Sequence, residues 1–361
     1  MGGRIAPLWP MPAFTRPMQA RLRAEPNIRV HLRPFSVQPL QPIEPPIFSS
    51  IMSTAIVFPG QGSQAVGMLA ALAAEHPQVE ATFQEASEAL GCDLWALASA
   101  GPAERLNRTE NTQPALLAAG VAVWRVWQAA GGARPVAMAG HSLGEYTALV
   151  CAGALGFPEA IRLVAERGKA MQAAVPAGQG AMAALLGLDD AAVERLCAEA
   201  SEGDDLVSAA NYNSPGQVVI AGAAPAVERA IALAKTAGAK RAVALAVSVP
   251  SHCALMQPAA ERLRGLLEDI ALTAPAIPVI QNVDAAAQDT AEAIRDRLIQ
   301  QLSHSVLWTE SVRRMAAMGV DRLIEAGPGK VLAGLTRRID KGVRGLPVFD
   351  PATLATALEA S

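Results

Sequence analysis

The sequence predicts an α/β protein in which a large domain with a parallel sheet carries a smaller inserted subdomain. Three observations support this prediction. At 361 residues, the chain is longer than one typical domain of about 100–200 residues. From residue 54 onward, short apolar runs typical of buried strands alternate with amphipathic segments typical of helices. Between residues 179 and 247 the order becomes strand, helix, strand, strand, helix, strand, which indicates a separate unit.

The composition is that of a folded globular protein, with 51% hydrophobic residues and a net charge of -3. Because 30 basic residues nearly balance 33 acidic ones, neither nucleic acid nor an anionic membrane is an expected partner. The four cysteines form no Cys-x-x-Cys pair, so we expect no zinc site and no disulfide framework, in keeping with a cytoplasmic protein. The most apolar run, residues 115–124, is too short for a membrane-spanning helix.

The first 51 residues differ from the rest of the chain and are predicted to be a disordered extension. They contain ten prolines, and six arginines against two glutamates. The arginine excess resembles an organellar transit peptide, but the prolines oppose the amphipathic helix of such a peptide. Since Met52 directly precedes the first predicted strand, an extension ahead of the true start is the preferred interpretation. The predicted large domain is then 52–178 with 248–361, and the insertion is 179–247.

The large domain is predicted from four apolar strands and one helix that follows the second strand directly. A strand followed at once by a helix, with glycines between them, is the arrangement of an α/β-hydrolase-like domain. The predicted strands are Ala55–Phe58, Val136–Ala139, Ile277–Ile280 and Arg322–Glu325, and the helix is Leu143–Cys151.

The inserted unit is predicted to be ferredoxin-like because its elements follow the order βαββαβ. Asp189 and Asp190 cap the first of its helices, and a turn at Asn213–Gly216 joins its two central strands. The predicted strands are Ala181–Leu186, Leu206–Ala210, Gln217–Ala221 and Ala242–Val247, and the second helix is Ala224–Ala237. A cleft between the two domains is the expected ligand site.

The strongest local signal is Gly140-His141-Ser142-Leu143-Gly144, a G-x-S-x-G pattern between a predicted strand and a predicted helix. Such a sharp turn presents the serine hydroxyl at a helix N-terminus, where backbone N–H groups stabilise negative charge. Taken alone, the five letters also fit a Gly-Ser turn that caps an ordinary helix. The flanking elements favour a nucleophile.

A serine nucleophile requires a base within hydrogen-bonding distance, and the sequence offers five histidines. His31 lies in the extension and His76 precedes a proline in a predicted surface turn. His141 adjoins the serine, and side chains adjacent at such a turn usually diverge. His252 follows the apolar run 243–249 at the exit from the insertion, where a side chain could face the cleft, and is preferred over His304. A purely structural histidine stays open on spacing alone.

Several motifs occur in the order found in malonyl-CoA:acyl carrier protein transacylases, which the chain resembles over residues 54–339. This resemblance implies acyl transfer in two steps through a seryl ester. It makes Ser142 the nucleophile and His252 the base. The motifs are Phe58-Pro59-Gly60-Gln61-Gly62-Ser63-Gln64, Gly140–Tyr146, Arg167-Gly168-Lys169, Asn213-Ser214-Pro215-Gly216-Gln217, Pro250-Ser251-His252 and Glu325-Ala326-Gly327-Pro328-Gly329.

The same resemblance implies the groups that support these two residues. A backbone carbonyl, at the position matching Gln301 to within one residue, orients the histidine in place of a carboxylate. Backbone N–H groups of Gln61 and Leu143 form the oxyanion hole.

Arg167 is expected to select the acyl group. A guanidinium binds a carboxylate through two parallel hydrogen bonds, so malonyl would be preferred over acetyl. From composition alone, an arginine next to Glu166 and Lys169 fits a helix surface better, and only the resemblance favours substrate binding. His141 is expected to shape the substrate site beside it.

The resemblance also implies malonyl-CoA and, transiently, an acyl carrier protein as partners, with no cofactor or metal. We expect a cytoplasmic monomer, a docking rim for the acidic carrier protein at Lys240 and Arg241, and a packing role for Cys253. Three alternatives remain open: a thioesterase or esterase with the same serine turn, an acyltransferase for another acyl-CoA, and a non-catalytic carrier-binding module.

Overall fold

The computed structural model describes residues 53–247 and 249–360 of the chain. The predicted extension, residues 1–51, lies outside the described residues. The described residues all belong to one compact unit. Within this unit two separate sheets occur, as the sequence predicts, while the domain boundaries at residues 178/179 and 247/248 stay a prediction.

The larger sheet is five-stranded and entirely parallel in the described part of the chain, with the strand order β7-β2-β1-β8-β9. Its central strands are almost wholly buried, as expected for a parallel sheet covered on both faces, although β8 carries the buried charged residues Arg322 and Glu325. The sheet consists of β1 (Ser53–Phe58), β2 (Ala137–Gly140), β7 (Val279–Ile280), β8 (Val320–Ala326) and β9 (Arg344–Val348).

Helices cover both faces of this sheet. The long α5 (Thr109–Ala129) is buried along nearly its whole length and belongs to the main core, together with α7 (Phe157–Ala174). The other helices of the large domain are α1 (Ala70–Glu75), α2 (Gln78–Leu90), α3 (Leu94–Ala100), α4 (Ala103–Leu106), α6 (Gly144–Cys151), α10 (Gln257–Glu268), α11 (Ala291–Gln301), α12 (Trp308–Ala317), α13 (Val331–Ile339) and α14 (Pro351–Glu359).

The smaller sheet is antiparallel with the order β4-β5-β3-β6, and with its two helices it forms the predicted ferredoxin-like unit. One face of the sheet packs on the helices, while the other contributes Met182 and Ala210 to a small apolar cluster with Cys253. The elements are β3 (Gly180–Leu186), α8 (Asp190–Ala200), β4 (Val207–Ser214), β5 (Gln217–Ala223), α9 (Ala224–Thr236) and β6 (Arg241–Ala244).

All four strands of the smaller sheet differ in length from their predictions: β3 begins one residue earlier, β5 ends two residues later, and the other two differ more. β4 continues to Ser214, so the predicted turn from Asn213 is reduced to Pro215 and Gly216. β6 ends at Ala244, before the predicted Val247. Beyond β6, the Leu245 N–H still donates to the Met182 carbonyl of β3. The chain then leads to Pro250, whose nitrogen has no hydrogen and so cannot extend the ladder.

The loops that follow β1, β2 and β7 meet at the carboxyl edge of the parallel sheet. This edge is where open α/β sheets usually bind ligands. Within residues 53–247 and 249–360, none of the helices combines the length and apolarity needed to cross a bilayer. In the same residues, no group of three or more His, Cys, Asp or Glu side chains is placed to hold a metal ion.

Candidate active site

The turn between β2 and α6 holds Ser142 in a strained conformation. The φ angle of Ser142 is 52°, in the left-handed region that residues with a side chain seldom adopt. The turn packs so closely on β1 that a Cβ atom on Gly144 would collide with the Phe58 carbonyl. Glycine is therefore required beside the serine, as the G-x-S-x-G pattern predicts.

His252 lies against this serine. Its Nε2 is 2.7 Å from the Ser142 Oγ, and its Nδ1 is 2.7 Å from the Gln301 carbonyl oxygen. That carbonyl can only accept a hydrogen bond, so Nδ1 carries the ring proton and Nε2 is left free to accept the serine proton. His252 also has a positive φ of 63°, and its N–H donates to the Leu302 carbonyl.

Burial holds His252 in the neutral form. The residue is 2% exposed, and burial, with the positive charge of Arg167 as the second cause, lowers the pKa of His252 to about 3. A neutral imidazole is the form that can accept a proton from a hydroxyl group. The pair is therefore a hydroxyl and a free base in contact, oriented by a carbonyl and not by a carboxylate.

Gln301 connects the serine, the histidine and the arginine. Besides its carbonyl bond to His252, its Nε2 donates to the Ser142 carbonyl at 2.9 Å. Its Oε1 accepts from the Arg167 Nη2, also at 2.9 Å. Its side chain is fully buried, so these three bonds are shielded from water.

Two backbone N–H groups beside the serine are left without acceptors. Gln61 and Leu143 both line the cavity, and the backbone N–H of neither has an acceptor among the residues that the structure describes. The glycine-rich loop that carries Gln61 lies directly on the serine turn, since a Cβ on Gly60 would meet the His141 carbonyl. The two groups are free to bind an oxygen that gains negative charge.

Arg167 extends from α7 into the same cavity and is only 1% exposed. Its Nη1 donates to the Gln113 Oε1 at 2.8 Å, and its guanidinium lies 5.2 Å from the centre of the Tyr146 ring. None of the ion pairs found in the described residues includes Arg167. A buried cation held only by neutral groups is a favourable site for an anionic ligand.

The cavity that contains these groups has a volume of about 290 Å³. Its polar end is formed by Ser142, His252 and Arg167. Much of the remaining wall is apolar and comes from both domains, with side chains from Met171, Met182, Leu245, Val247, Val331, Leu332 and Leu335.

His141 also borders the cavity, and its Nε2 is 2.8 Å from the Asn213 Oδ1. Burial lowers the pKa of His141, so it too is held neutral. This bond joins the serine turn of the large sheet to β4 of the smaller sheet, while the role of His141 in shaping the site stays a prediction.

The remaining predicted residues lie away from the reacting groups. Cys253 is buried and its Sγ donates to the Pro250 carbonyl, while burial raises the pKa of its thiol to about 11. His304 is bonded through Nδ1 to the Gln300 carbonyl at the surface. Lys240 and Arg241 are exposed at the start of β6.

Sequence reasoning missed three polar residues of the site, Gln113, Glu145 and Asn282. Asn282 follows β7 at the carboxyl edge of the sheet, a position that could have drawn attention to it. Glu145 stands inside the quoted motif, although nothing in the motif indicates a buried carboxyl group. Gln113 lies in an apolar helix and carries no such signal.

Comparison with known proteins places the chain in a family. The family model described as an acyl transferase domain matches residues 55–355. The malonyl CoA-acyl carrier protein transacylase of Escherichia coli (strain K12) is 60% identical over 305 residues, which are 84% of this chain and 98% of that protein. The protein of the same name from Bacillus subtilis (strain 168) is 45% identical over 305 residues, covering 84% and 96%.

Solved structures agree with this placement. An acyl carrier protein S-malonyltransferase from Vibrio cholerae is 60% identical with a TM-score of 0.83, covering 84% of this chain and 99% of that one. A malonyl-transacylase solved in complex with its type II PKS acyl-carrier protein is 58% identical with a TM-score of 0.84, covering 86% and 100%. The chain therefore belongs to the acyl transferase domain family and, within it, to the malonyl-CoA:acyl carrier protein transacylases.

Proposed function

We propose that this chain transfers a malonyl group from malonyl-CoA to the phosphopantetheine thiol of an acyl carrier protein, and so supplies fatty acid synthesis. The observation that carries the proposal is one cavity that holds a serine in contact with a neutral histidine, together with a buried arginine that lacks an anionic partner. The first pair supports acyl transfer, and the arginine supports an acyl group that ends in a carboxylate.

In the first half-reaction, Ser142 takes the malonyl group. Its Oγ bonds to the thioester carbon while its proton passes to the His252 Nε2, 2.7 Å away. The carbonyl oxygen becomes an oxyanion, which accepts hydrogen bonds from the N–H groups of Gln61 and Leu143. When the carbon–sulfur bond breaks, His252 returns the proton to the sulfur of coenzyme A, and a malonyl ester of Ser142 remains.

In the second half-reaction, the thiol of the carrier protein takes the malonyl group from the ester. The thiol proton passes to His252 as the sulfur attacks the ester carbon. The Ser142 Oγ then leaves and recovers the proton from His252, which restores the starting state. Both halves use the same base and the same oxyanion hole.

Arg167 links the choice of acyl group to the strength of the base. The free carboxylate of malonyl binds the guanidinium, whereas acetyl leaves this cation buried and unpaired. Because the charge of Arg167 lowers the pKa of His252, a carboxylate that neutralises this charge raises the pKa again. The base is therefore stronger when malonyl is bound.

The exposed Lys240 and Arg241 are proposed to dock the acidic carrier protein. Leu186 pairs with Arg241 on one side and with Gln217, which borders the cavity, on the other. Two strand spacings of about 4.8 Å place Arg241 about 10 Å from this cavity residue. Cations at this distance can attract a partner whose flexible thiol arm enters the cleft.

The proposed steps use only side chains and backbone groups of this chain, together with the two thiols, so the scheme requires no cofactor. We also propose that the protein is a monomer and acts in the cytoplasm.

Radiolabelled malonyl-CoA tests the proposal. Rapid mixing and acid quenching should trap label on Ser142, and adding carrier protein should move the label to its thiol. Release of the label to water would support a thioesterase instead, and an absence of labelling would support a non-catalytic binding module.

A Ser142→Ala variant controls for label bound elsewhere. Labelling with acetyl-CoA in parallel measures the preference for the carboxylate, and equal labelling by both thioesters would contradict malonyl specificity.

A further inference from the structure

A fully buried carboxyl group lies directly beneath the serine turn. Glu145 is in the first turn of α6, and its Oε2 accepts a hydrogen bond of 2.7 Å from the backbone N–H of Asn282. Its Oε1 accepts a longer bond of 3.3 Å from the Gln281 Nε2. None of the ion pairs in the described part of the chain includes Glu145.

The side chain of Asn282 bridges the two ends of the serine turn. Its Oδ1 accepts from the Ser142 N–H at 2.7 Å, and its Nδ2 donates to the Gly140 carbonyl, also at 2.7 Å. These two bonds tie together the residues that begin and end the strained segment. The amide can make both bonds in only one orientation, because its oxygen cannot donate and its nitrogen cannot accept.

The position of this amide depends in turn on Glu145. Asn282 is only two residues beyond the short strand β7, so its backbone is fixed by few ladder bonds. Its carbonyl accepts from the Leu307 N–H, and its N–H has the Glu145 carboxyl group as acceptor. A charged acceptor forms a stronger hydrogen bond than a neutral one, above all when it is buried.

We propose that Glu145 is a positioning residue for acyl transfer, which acts through Asn282 to hold the Ser142 Oγ in line with its base. This inference rests on the proposed role of Ser142 as nucleophile. The carboxylate fixes the backbone of Asn282, the Asn282 amide fixes both ends of the turn, and the turn sets the direction of the serine hydroxyl. Glu145 does not line the substrate cavity, and no hydrogen bond among the described residues joins its carboxyl group to the Ser142 side chain. The Gln301 side chain, which bonds to the Ser142 carbonyl, also interacts with this carboxyl group.

The position of Glu145 outside the cavity separates this role from substrate binding. Glu145 is absent from the cavity wall, whereas Arg167 forms part of it. A change at Glu145 should therefore lower the rate of serine acylation without changing the Kd for malonyl-CoA. A residue that only stabilises the fold would lower the melting temperature and leave the rate per folded molecule unchanged.

The experiment compares the wild type, Glu145→Gln, Asn282→Ala and the double variant at pH 8. The acylation rate of Ser142 is measured by rapid quench with labelled malonyl-CoA, and again with a fluorophosphonate, which reacts with the serine without using Arg167. We expect Glu145→Gln to lose about tenfold in both rates, because a neutral acceptor replaces a charged one. We expect Asn282→Ala to lose more, and the double variant to lose no more than Asn282→Ala.

Phe83→Leu is the control for stability, since the smaller side chain leaves a cavity at a buried position in α2, remote from the serine turn. It should lower the melting temperature and leave both rates unchanged. A wild-type rate in Glu145→Gln, or independent losses that multiply in the double variant, would overturn the inference. If the wild type itself carried no label on Ser142, the proposed function would fail instead, so the two failures are distinguishable.

Discussion

The two ends of the cavity satisfy their polar groups in opposite ways. Around Ser142, the polar groups of the serine itself are bonded within the protein: its N–H through Asn282, its carbonyl through Gln301 and its hydroxyl through His252. At the other end, the guanidinium of Arg167 is buried among neutral partners and has no anion beside it.

In the proposed mechanism, this difference separates the groups that react from the groups that bind the substrate. A reacting hydroxyl must be held in one geometry, and saturated hydrogen bonds provide this. A group that binds substrate is most selective when only the correct ligand supplies its missing partner, because an incorrect ligand leaves a buried charge unpaired. The N–H groups of Gln61 and Leu143 are comparable, since an oxyanion would supply the acceptor that each of them lacks.

Removing a reacting group is the severest test of this comparison. Ser142→Ala should abolish the malonyl ester and lower malonyl transfer by about ten thousandfold or more, because no other group at this position can form the ester. His252→Ala should cause a loss of similar size. The transfer rate to carrier protein at saturating malonyl-CoA measures both effects.

The binding of malonyl-CoA serves as the control for these two variants. Isothermal titration should give nearly wild-type affinity for Ser142→Ala, since Arg167 and the cavity wall are unchanged. A variant that transfers malonyl at an appreciable fraction of the wild-type rate would contradict the assignment of the reacting pair.

Removing the recognising charge should have a smaller and selective effect. Arg167→Ala should lower kcat/KM for malonyl-CoA by about a hundredfold, the equivalent of one strong charge-assisted pair, while acetyl transfer is spared or rises. Arg167→Lys should recover only part of the loss, because an ammonium group cannot bind both carboxylate oxygens in one plane.

Arg162 offers a matched control on the same helix. It is exposed, and its Nη2 lies 3.1 Å from the Glu159 Oε1, so Arg162→Ala should change neither acyl preference nor rate. If Arg167→Ala lowered malonyl and acetyl transfer equally, the arginine would act by supporting Gln301, and the separation between the two ends of the cavity would fail.

The fold was largely predictable because its signals are local. Apolar runs located four of the five strands of the parallel sheet, but not the edge strand β9, and the order of elements identified the inserted unit before any contact was known. Strand ends were predicted less well, since β6 stops where the chain turns toward Pro250, and this depends on tertiary contacts. The placement of Ser142 at a sharp turn followed from Gly140 and Gly144, whose small size the packing on β1 requires.

The site was predictable only where chemistry requires a particular residue type. From the residues alone, His252 was one histidine among several, and Arg167 fitted a helix surface better than a cavity. The family resemblance supplied both assignments, together with the carbonyl of Gln301. Asn282 and Glu145 escaped notice because their roles depend on which strand lies beside β2, and no local pattern reveals that neighbour.

The pH dependence of stability tests whether the buried Glu145 carboxyl group beneath the serine turn destabilises the folded protein. Burial raises the pKa of Glu145 to about 7 from its ordinary 4.5, with a further contribution from the charge of Asp284. Because the folded state holds this proton more tightly than the unfolded state, the free energy of unfolding falls as pH rises from about 4.5 to 7. The loss amounts to about 3 kcal/mol, at 1.36 kcal/mol for each pKa unit.

Glu145→Gln has no carboxyl group to ionise, so its melting temperature should exceed that of the wild type above pH 7. The difference should shrink as pH falls and vanish below about pH 4.5. The contribution of His252 to stability changes with pH in the opposite direction, since its lowered pKa stabilises the fold above pH 6.5 and this stability is lost toward pH 3. Both proteins contain His252, so this contribution cancels in the comparison. Melting curves from pH 4 to 8.5 test this, and a constant difference at every pH would contradict it.

The smallest expected effect lies at the surface, where charges without partners face water. Lys240 and Arg241 are exposed and take part in none of the ion pairs found between residues 53 and 360. Reversing both charges, as Lys240→Glu with Arg241→Glu, should raise the KM for carrier protein by about tenfold while the KM for malonyl-CoA stays constant. The expected effect is small because solvent screens exposed charges more than buried ones. Raising the salt concentration should reduce the difference. The same reversal at Arg262 and Arg264 on α10 is the control, and a similar KM change there would mean that total charge, and not this rim, attracts the carrier protein.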